Sequence, residues 1–442
     1  MELKKTKILC TIGPASIDRK IIKNMYVNGM NACRINSSHG NFKQYKIIIR
    51  NVRSAGDAPI ILDTQGSGVR ITNKDQSVKR GEIIDITLSV NVYKNLRNGV
   101  KVLINDGLIE GVIVNVGNKL ISVKINNDGE LVNNRKIIFR NCPLNLPVLT
   151  ERDKKSLKFA RKNNLEFIGL SYTRSRKDVE YVKKLLKNSG ILIIAKIEDR
   201  EGVKNYKEII NASDALMVAR GDLGTGIPSE KIPLIQKEII KECNKAGKPV
   251  IVATQMMESM VNNNSPTRAE TSDVANAILD GADCLMLSAE TSIGKYPRLA
   301  VKMMARICIN AENSNYPVLE TRKISIVDNI TSNAFKIADD MNARILCKTR
   351  SGYTAKMISR FKPGRELIAL TGSEIVAKQL MISYGVKPLM LKSYDNYDAR
   401  KLTQFCVKNK LINNDDLIVF VAGLFIKKTT NTIIVFKASD LL

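Results

Sequence analysis

Charged and hydroxyl residues of this chain fall where apolar runs stop. "ACRINSS" ends in Arg34, Asn36 and Ser38, and "PIILDT" ends in Asp63 and Thr64. "ILIIAKIE" ends in Lys196 and Glu198, and "ALMVARGD" ends in Arg220 and Asp222. "PVIVATQ" ends in Thr254 and Gln255, and "CLMLSAE" ends in Ser288 and Glu290. One Lys or Glu finishing a run is an ordinary solvated residue. Six such ends on one surface would place two carboxylates, an ammonium and a guanidinium side by side. Glu198 and Asp222 could then hold a divalent cation. With oxygen donors and no Cys or His beside them, Mg²⁺ or Mn²⁺ suits them better than Zn²⁺. Lys196 next to that cation suits charge on a transferring phosphoryl group. "GDLG" can open a short helix whose N–H groups, with Gly221 allowing close approach, meet an anionic carboxylate. Asn36, Ser38, Asp63 and Thr64 offer four oxygens, fit for a hard monovalent cation or a water cluster. No GxxxxGK[ST] loop is present, so a nucleotide would have to be held by other means.

Such ends work together only if the runs are neighbouring strands. The runs "KILCT" (7–11), "ACRIN" (32–36), "PIILD" (59–63), "EFIGLS" (166–171), "ILIIAKIE" (191–198), "ALMVA" (215–219), "PVIVAT" (249–254) and "CLMLS" (284–288) are continuously apolar. That is the character of parallel strands buried on both faces. Helical patterns such as "EKIPLIQKEIIKECNKAG" separate them. The simplest closure is a (β/α)8 barrel, occupying 1–70 and 147–320, whose active face lies at the strands' carboxyl ends. Residues 71–146 change character: β-branched and polar residues alternate, with Gly-Asn and Asp-Gly turns. They read as a small β domain inserted after strand three, placed to act as a lid. From 321 to 442, "ARILCKT", "ELIALTG", "KPLMLK", "DLIVFVAG" and "TIIVFKA" read as a separate α/β domain.

The bulk properties agree with a soluble globular chain: 442 residues, 44% hydrophobic and 26% charged. The net charge of +27 invites a nucleic-acid reading. However, Lys and Arg are spread along the whole chain, and no nucleic-acid-binding motif is present. The eight cysteines form no CxxC and sit mostly in apolar runs, which fits a reducing cytoplasm. No signal peptide is evident and no apolar run approaches ~18 residues, so no membrane association is expected. Arg-Gly-Asp at 220–222 also occurs in adhesion loops, but here it follows a core strand, which argues against an exposed loop. Arg220 is expected to pair with neighbouring acids and orient them.

Longer blocks carry a resemblance. "TKILCTIGPAS", "GMNACRINSSHG", "LDTQGSGVR", "AKIEDREGV", "MVARGDLG", "ATQMMESM", "PTRAETSDVANAILDGADCLMLSAETSIGKYP" and "KTRSGYTAKMISRFKP" resemble the pyruvate kinase family over nearly the whole chain. The resemblance implies a (β/α)8 barrel with an inserted small β-barrel lid and a C-terminal α/β domain. It implies phosphoryl transfer from phosphoenolpyruvate to ADP, as a cytoplasmic homotetramer. Position by position, it gives Glu198 and Asp222 the Mg²⁺ or Mn²⁺, Lys196 the phosphoryl group and Arg34 the substrate phosphate. Gly221, Asp222 and Thr254 contact the substrate carboxylate. Thr254, Ser288 and Glu290 lie where the enolate is protonated. Asn36, Ser38, Asp63 and Thr64 match the K⁺ site, and Asn36, His39, Arg70 and Lys136 match nucleotide contacts.

The chain also departs from the family pattern. Gly68 stands where members carry Glu, which goes with K⁺ dependence, or Lys, which goes with independence; K⁺ use is left open. Gly226 replaces an acidic residue before Ile-Pro. "KIIFRNC" (136–142) replaces the usual hinge sequence around Lys136. The segment "GLFIKKTTNTIIVFK" lacks the Trp and Gly-rich loop of fructose-bisphosphate-activated members, so that effector is not expected. A metal-dependent carbon–carbon lyase acting on pyruvate or phosphoenolpyruvate is the alternative on a similar barrel; the lid domain, Lys196 and the C-terminal domain weigh against it.

Overall fold

The computed structural model describes residues 4–442 except 106, 141, 143, 145, 315–324 and 424–428; the side chain of Thr225 is likewise left out. The expected boundary at 320/321 and part of the "GLFIKKTT" segment lie outside the described residues. Eight parallel strands close a barrel: β1 (Lys7–Thr11), β2 (Ala32–Asn36), β3 (Ile60–Asp63), β4 (Phe167–Leu170), β5 (Leu192–Ile197), β6 (Ala215–Ala219), β7 (Val250–Ala253) and β8 (Cys284–Leu287). Each strand pairs with its neighbours in sequence order, and β8 pairs with β1.

Two apolar sets sort by strand periodicity. Ile8, Cys10, Cys33, Ile35, Ile60 and Leu62 pack outward in one core that includes the surrounding helices. Leu9, Ala32, Ile61, Phe167, Ile194, Met217 and Met286 pack in a second core, which fills the barrel. Side chains alternate with period two, so the residues two further along share that inner face. These are Thr11, Arg34, Asp63, Gly169, Lys196, Ala219 and Ser288. The polar strand ends are thus the top layer of the barrel filling, directly above an apolar plug.

The insertion after β3 forms a five-stranded antiparallel sheet, in the order Ile137–Phe139, Lys101–Ile104, Ile109–Val116, Ile121–Ile125, Ile83–Ile86. A two-stranded ribbon, Gln76–Val78 with Gly129–Leu131, accompanies it. The segment 69–72 bridges both edges of the five-stranded sheet, Ile71 with Leu88 and Arg70 with Lys136, and so closes it into the expected small barrel around one apolar core that includes Val69 and Ile71. The last unit is a five-stranded sheet ordered Val386–Met390, Leu367–Thr371, Arg344–Lys348, Leu417–Ala422, Thr432–Lys437. Its final strand alone runs antiparallel to its neighbour. No helix among the described residues is long and apolar enough to cross a membrane.

The last unit covers the opposite end of the barrel, where the strands begin. Ile382 packs into the barrel-filling core. Asp283, just before β8, accepts from Lys362 Nζ at 2.8 Å, Tyr384 N at 3.0 Å and Val250 N at 3.0 Å. Lys7 Nζ donates to the Val386 carbonyl at 2.8 Å. Burial pulls the Lys362 ammonium below the usual lysine range, although Asp283 opposes this. Removing one partner of a buried pair strands the other charge, at about 3–5 kcal/mol. Lys362→Met is therefore expected to lower the urea midpoint clearly; a midpoint equal to that of the unmutated chain would show that this junction does not support the fold.

Candidate active site

The top layer is a connected set of charges. Arg34 sits on β2 beside β3, where the register pairs Asn36 with Asp63. Its Nε donates to Asp63 Oδ2 at 2.7 Å and its Nη1 to Thr11 Oγ1 at 3.2 Å. Lys196 Nζ reaches the same Asp63 Oδ2 at 3.1 Å, Ser171 Oγ at 2.8 Å and Glu198 Oε1 at 2.8 Å. Arg34, Asp63, Lys196 and Glu198 are all buried. Burial alone pulls the Lys196 ammonium down. Asp63 and Glu198 outweigh it, so the group lies above the usual lysine range and stays charged.

Space for Asp63 comes from a glycine. A Cβ on Gly169 of β4 would lie 2.4 Å from Asp63 Oδ1. That same Oδ1 is buried and has no hydrogen-bond partner among the described residues. Thr64 is turned into the strand ends: its Oγ1 donates to the Gly169 carbonyl at 3.0 Å and accepts from Ser171 N at 2.9 Å. Asn36 Oδ1 accepts from Ser38 N at 3.1 Å. The four oxygen-bearing residues thus come as two adjoining pairs, Asn36–Ser38 and Asp63–Thr64, joined by the β2–β3 register.

Glu198 Oε2 accepts from Tyr172 N at 2.7 Å. Asp222 leaves the first turn of the short helix Arg220–Gly226, which begins where β6 ends. The two carboxyls lie within hydrogen-bonding reach of each other, and their behaviour diverges. Burial pushes the Glu198 carboxyl above the usual range, and the Asp222 charge adds to this against Lys196. Asp222 is also raised by burial, but Lys136 and Lys196 bring it below the usual range. Lys136 comes from the insertion: its Nζ is ion-paired with Asp222 Oδ1 and lies 5.0 Å above the Tyr172 ring. Among the described residues no three His, Cys, Asp or Glu side chains converge, so a cation here would have two protein carboxylates and take its other ligands elsewhere. Mg²⁺ is commonly held that way, by one or two carboxylates with water and phosphate oxygens.

A second group surrounds Thr254. This residue has φ 70 and the next, Gln255, has φ 52. A β-branched residue in the left-handed region is strained, by about 1–3 kcal/mol. Arg220 clamps the turn, donating to the Thr254 carbonyl at 2.7 Å and the Gln255 carbonyl at 3.0 Å. Its acidic partner is Asp273, at 2.7 Å on the helix Arg268–Leu279. The expected pairing with an acid is thus made with Asp273, and the same guanidinium also holds the strained backbone of Thr254. The Gly221 N–H donates to Thr254 Oγ1 at 2.7 Å, so that N–H is already engaged. Glu290 is buried and accepts from Ser288 N at 2.7 Å and Met257 N at 3.2 Å. Burial pushes its carboxyl up, opposed by those N–H groups. Ser288 Oγ is buried without a hydrogen-bond partner among the described residues.

A cleft of about 860 Å³ opens between barrel and insertion, lined by Lys136, Phe139, Tyr172, Glu198, Asp222 and Gly68 among others. Arg70 stands at its rim, where its main chain bridges that of Lys136 and its Nη1 donates to the Asn134 carbonyl at 2.7 Å. His39 is exposed, and its carbonyl accepts from the Tyr45 hydroxyl. Ser171, Tyr172 and Gly169 are site residues that the strand-end reading passes over, because β4 ends without a charge. A glycine inside an apolar strand is the signal that could have found the last of them.

Comparison with known proteins gives the family. The family model "Pyruvate kinase, barrel domain" matches residues 3–301 and "Pyruvate kinase, alpha/beta domain" matches 328–436. Pyruvate kinases of Staphylococcus aureus strains MRSA252 and USA300 are each 39% identical over 97% of this chain and 79% of their own length. The crystal structure of a pyruvate kinase from Cryptosporidium parvum superposes with a TM-score of 0.91 at 33% identity, covering 98% of this chain and 96% of that one. The chain belongs to the pyruvate kinase family and is a phosphotransferase of that type; the lyase reading is not favoured.

The Arg220 clamp gives a test. Hydrogen bonds from a charged donor contribute about 1.5–3 kcal/mol. Arg220→Lys keeps the charge but loses the fork that spans two carbonyls. Its turnover should fall roughly 10- to 100-fold, at about 1.4 kcal/mol per factor of ten, while Mn²⁺ affinity at Asp222 is unchanged. Unchanged turnover would show that the Thr254 turn holds itself.

Proposed function

We propose that this chain transfers the phosphoryl group of phosphoenolpyruvate to ADP, giving pyruvate and ATP, through the residues of the barrel's top layer. The observation that carries the assignment is Lys196. It is a buried ammonium fixed by Asp63, Ser171 and Glu198 beside a pair of carboxylates. A pre-positioned charge of this kind needs no reorganisation as the transferring group moves.

Glu198 and Asp222 would hold the Mg²⁺ or Mn²⁺; their donors are oxygen only, which suits a hard divalent ion. When bound, that ion neutralises charge on the phosphate oxygens. Arg34, anchored on Asp63, points its guanidinium at the substrate phosphate. Gly221, Asp222 and Thr254 position the substrate carboxylate. The bond between phosphorus and the enol oxygen breaks as one forms to a terminal phosphate oxygen of ADP, and the enol oxygen keeps the electron pair. The resulting enolate then takes a proton at its methylene carbon. Thr254, with Ser288 and Glu290 behind it, would deliver that proton through water. Asn36, His39, Arg70 and Lys136 would hold the nucleotide in the cleft beneath the insertion, which acts as the lid. Asn36, Ser38, Asp63 and Thr64 would hold K⁺. The buried Oδ1 of Asp63, unpaired among the described residues, supports that site, because a buried anionic oxygen is costly unless a cation or donor meets it. We read the C-terminal unit, with the barrel helices, as the contact region of a homotetramer working in the cytoplasm.

Lys196→Met should fold normally and lose about 10³-fold or more in kcat, the scale of charged groups in phosphoryl transfer. Near-normal kcat in a folded variant would remove Lys196 from the chemistry. Without K⁺, with a bulky organic cation maintaining ionic strength, turnover should fall about tenfold or more, as expected when a charged ligand that compensates Asp63 is withheld. Equal rates with and without K⁺ would leave Asp63 Oδ1 to another partner.

A further inference from the structure

Asn36, Ser38, Asp63 and Thr64 stand at the ends of β2 and β3 and on the loops that follow. Both loops are held from behind by a single helical turn. The helix Glu151–Lys162 starts from a capping box on Thr150, and its first turn carries Arg152 and Asp153. Arg152 Nε donates to the Ser37 carbonyl and its Nη2 to the Gly40 carbonyl, each at 2.7 Å. Nη2 also donates at 3.1 Å to the Tyr45 hydroxyl, which itself donates to the His39 carbonyl. Asp153 is fully buried and accepts from Gln65 N at 2.7 Å and Gly66 N at 3.3 Å. Thr150 N and Oγ1 donate to the same carboxylate at 3.0 and 2.7 Å, which fixes it to the turn. On its other side the second loop abuts β4: a Cβ on Gly66, at φ 73, would lie 2.6 Å from the Tyr172 ring. Ser37 lies between Asn36 and Ser38, and Gln65 follows Thr64. Each grip is therefore one residue away from the oxygens it aims.

We propose that Arg152 and Asp153 are positioning residues that lock the two loops to one helical turn and thereby set which monovalent cation the four oxygens accept. The proposal rests on the reading of Asn36, Ser38, Asp63 and Thr64 as monovalent-cation ligands. Selection between ions of equal charge depends on the size of the cage and the stiffness of its ligands. Na⁺ is smaller than K⁺ and gives up its water less readily, so it binds well only where the oxygens can close in on it. Loops pinned to adjacent residues of a helix cannot close independently; freed loops can. Partners that orient metal ligands in this way change affinity or activity by about 10- to 100-fold.

The test melts the full chain, without substrate, in KCl, NaCl and tetramethylammonium chloride at one ionic strength. A cation that binds the folded chain raises its thermal midpoint. The unmutated chain should melt highest in K⁺. Arg152→Met and Asp153→Asn should melt alike in K⁺ and Na⁺, and the K⁺ concentration giving half-maximal turnover should rise about tenfold. A midpoint lowered equally in all three salts, with the difference between K⁺ and Na⁺ kept, would make the pair structural only; that overturns the proposal and leaves the cation site standing. No effect of K⁺ on the unmutated chain, in melting or in turnover, would overturn both. Asp153→Asn also weakens a helix cap, and if it fails to fold Arg152→Met decides alone. Arg152→Lys, which can still reach one carbonyl, is the milder variant: it should narrow the difference between K⁺ and Na⁺, and an unchanged difference would count against the proposal.

Discussion

One buried carboxylate organises the top of this barrel. Asp63 Oδ2 accepts from both Arg34 and Lys196, and Lys196 passes the connection on to Glu198. Buried charges are tolerable only when paired and hydrogen-bonded. Here the pairing is provided by strand register: β2 lies beside β3, and β3 beside β4, whose Gly169 has no side chain to block Asp63. Two residues below, the same strands contribute Ala32, Ile61 and Phe167 to an apolar plug. The plug keeps water out from beneath, and the charges therefore act on whatever enters from above.

The remainder of the molecule divides its work between the two ends of the barrel. At the lower end, Asp283 and Lys362 close the junction with the C-terminal unit, and Ile382 seals the plug. Contacts there stabilise without touching chemistry. At the upper end, local stability is given up for position. Thr254 holds a left-handed backbone that a free chain would avoid, and Arg220 keeps it there through two carbonyls and Asp273. The Arg-Gly-Asp tripeptide thus has three separate duties: a backbone clamp, a close approach and a carboxylate in the cleft.

Much of this was legible in the sequence. The runs at 7–11, 32–36 and 215–219 are strands with those same limits, and the other five barrel strands differ by one residue at an end, or at both ends. Continuous apolar character is a strong signal for a strand buried on both faces, and a polar end marks the active face. What escaped was carried by uncharged residues or by distance. Ser171 and Tyr172 follow β4 without a charge, yet they fix Lys196 and Glu198. Asp273 lies 53 residues from Arg220, so no local spacing could pair them. Lys136 was placed by resemblance at the nucleotide; its hold on Asp222 depends on how the insertion folds over the barrel, which strand patterning does not encode.

The central claim is that these charges transfer phosphate between two particular molecules. Phosphorus NMR of the purified chain with phosphoenolpyruvate, ADP, Mg²⁺ and K⁺ follows both at once. The account predicts loss of the phosphoenolpyruvate signal matched by growth of the ATP γ-phosphate signal, with little inorganic phosphate. Release of inorganic phosphate without ATP, or no turnover with K⁺, Na⁺ or Mn²⁺ supplied in turn, would contradict it.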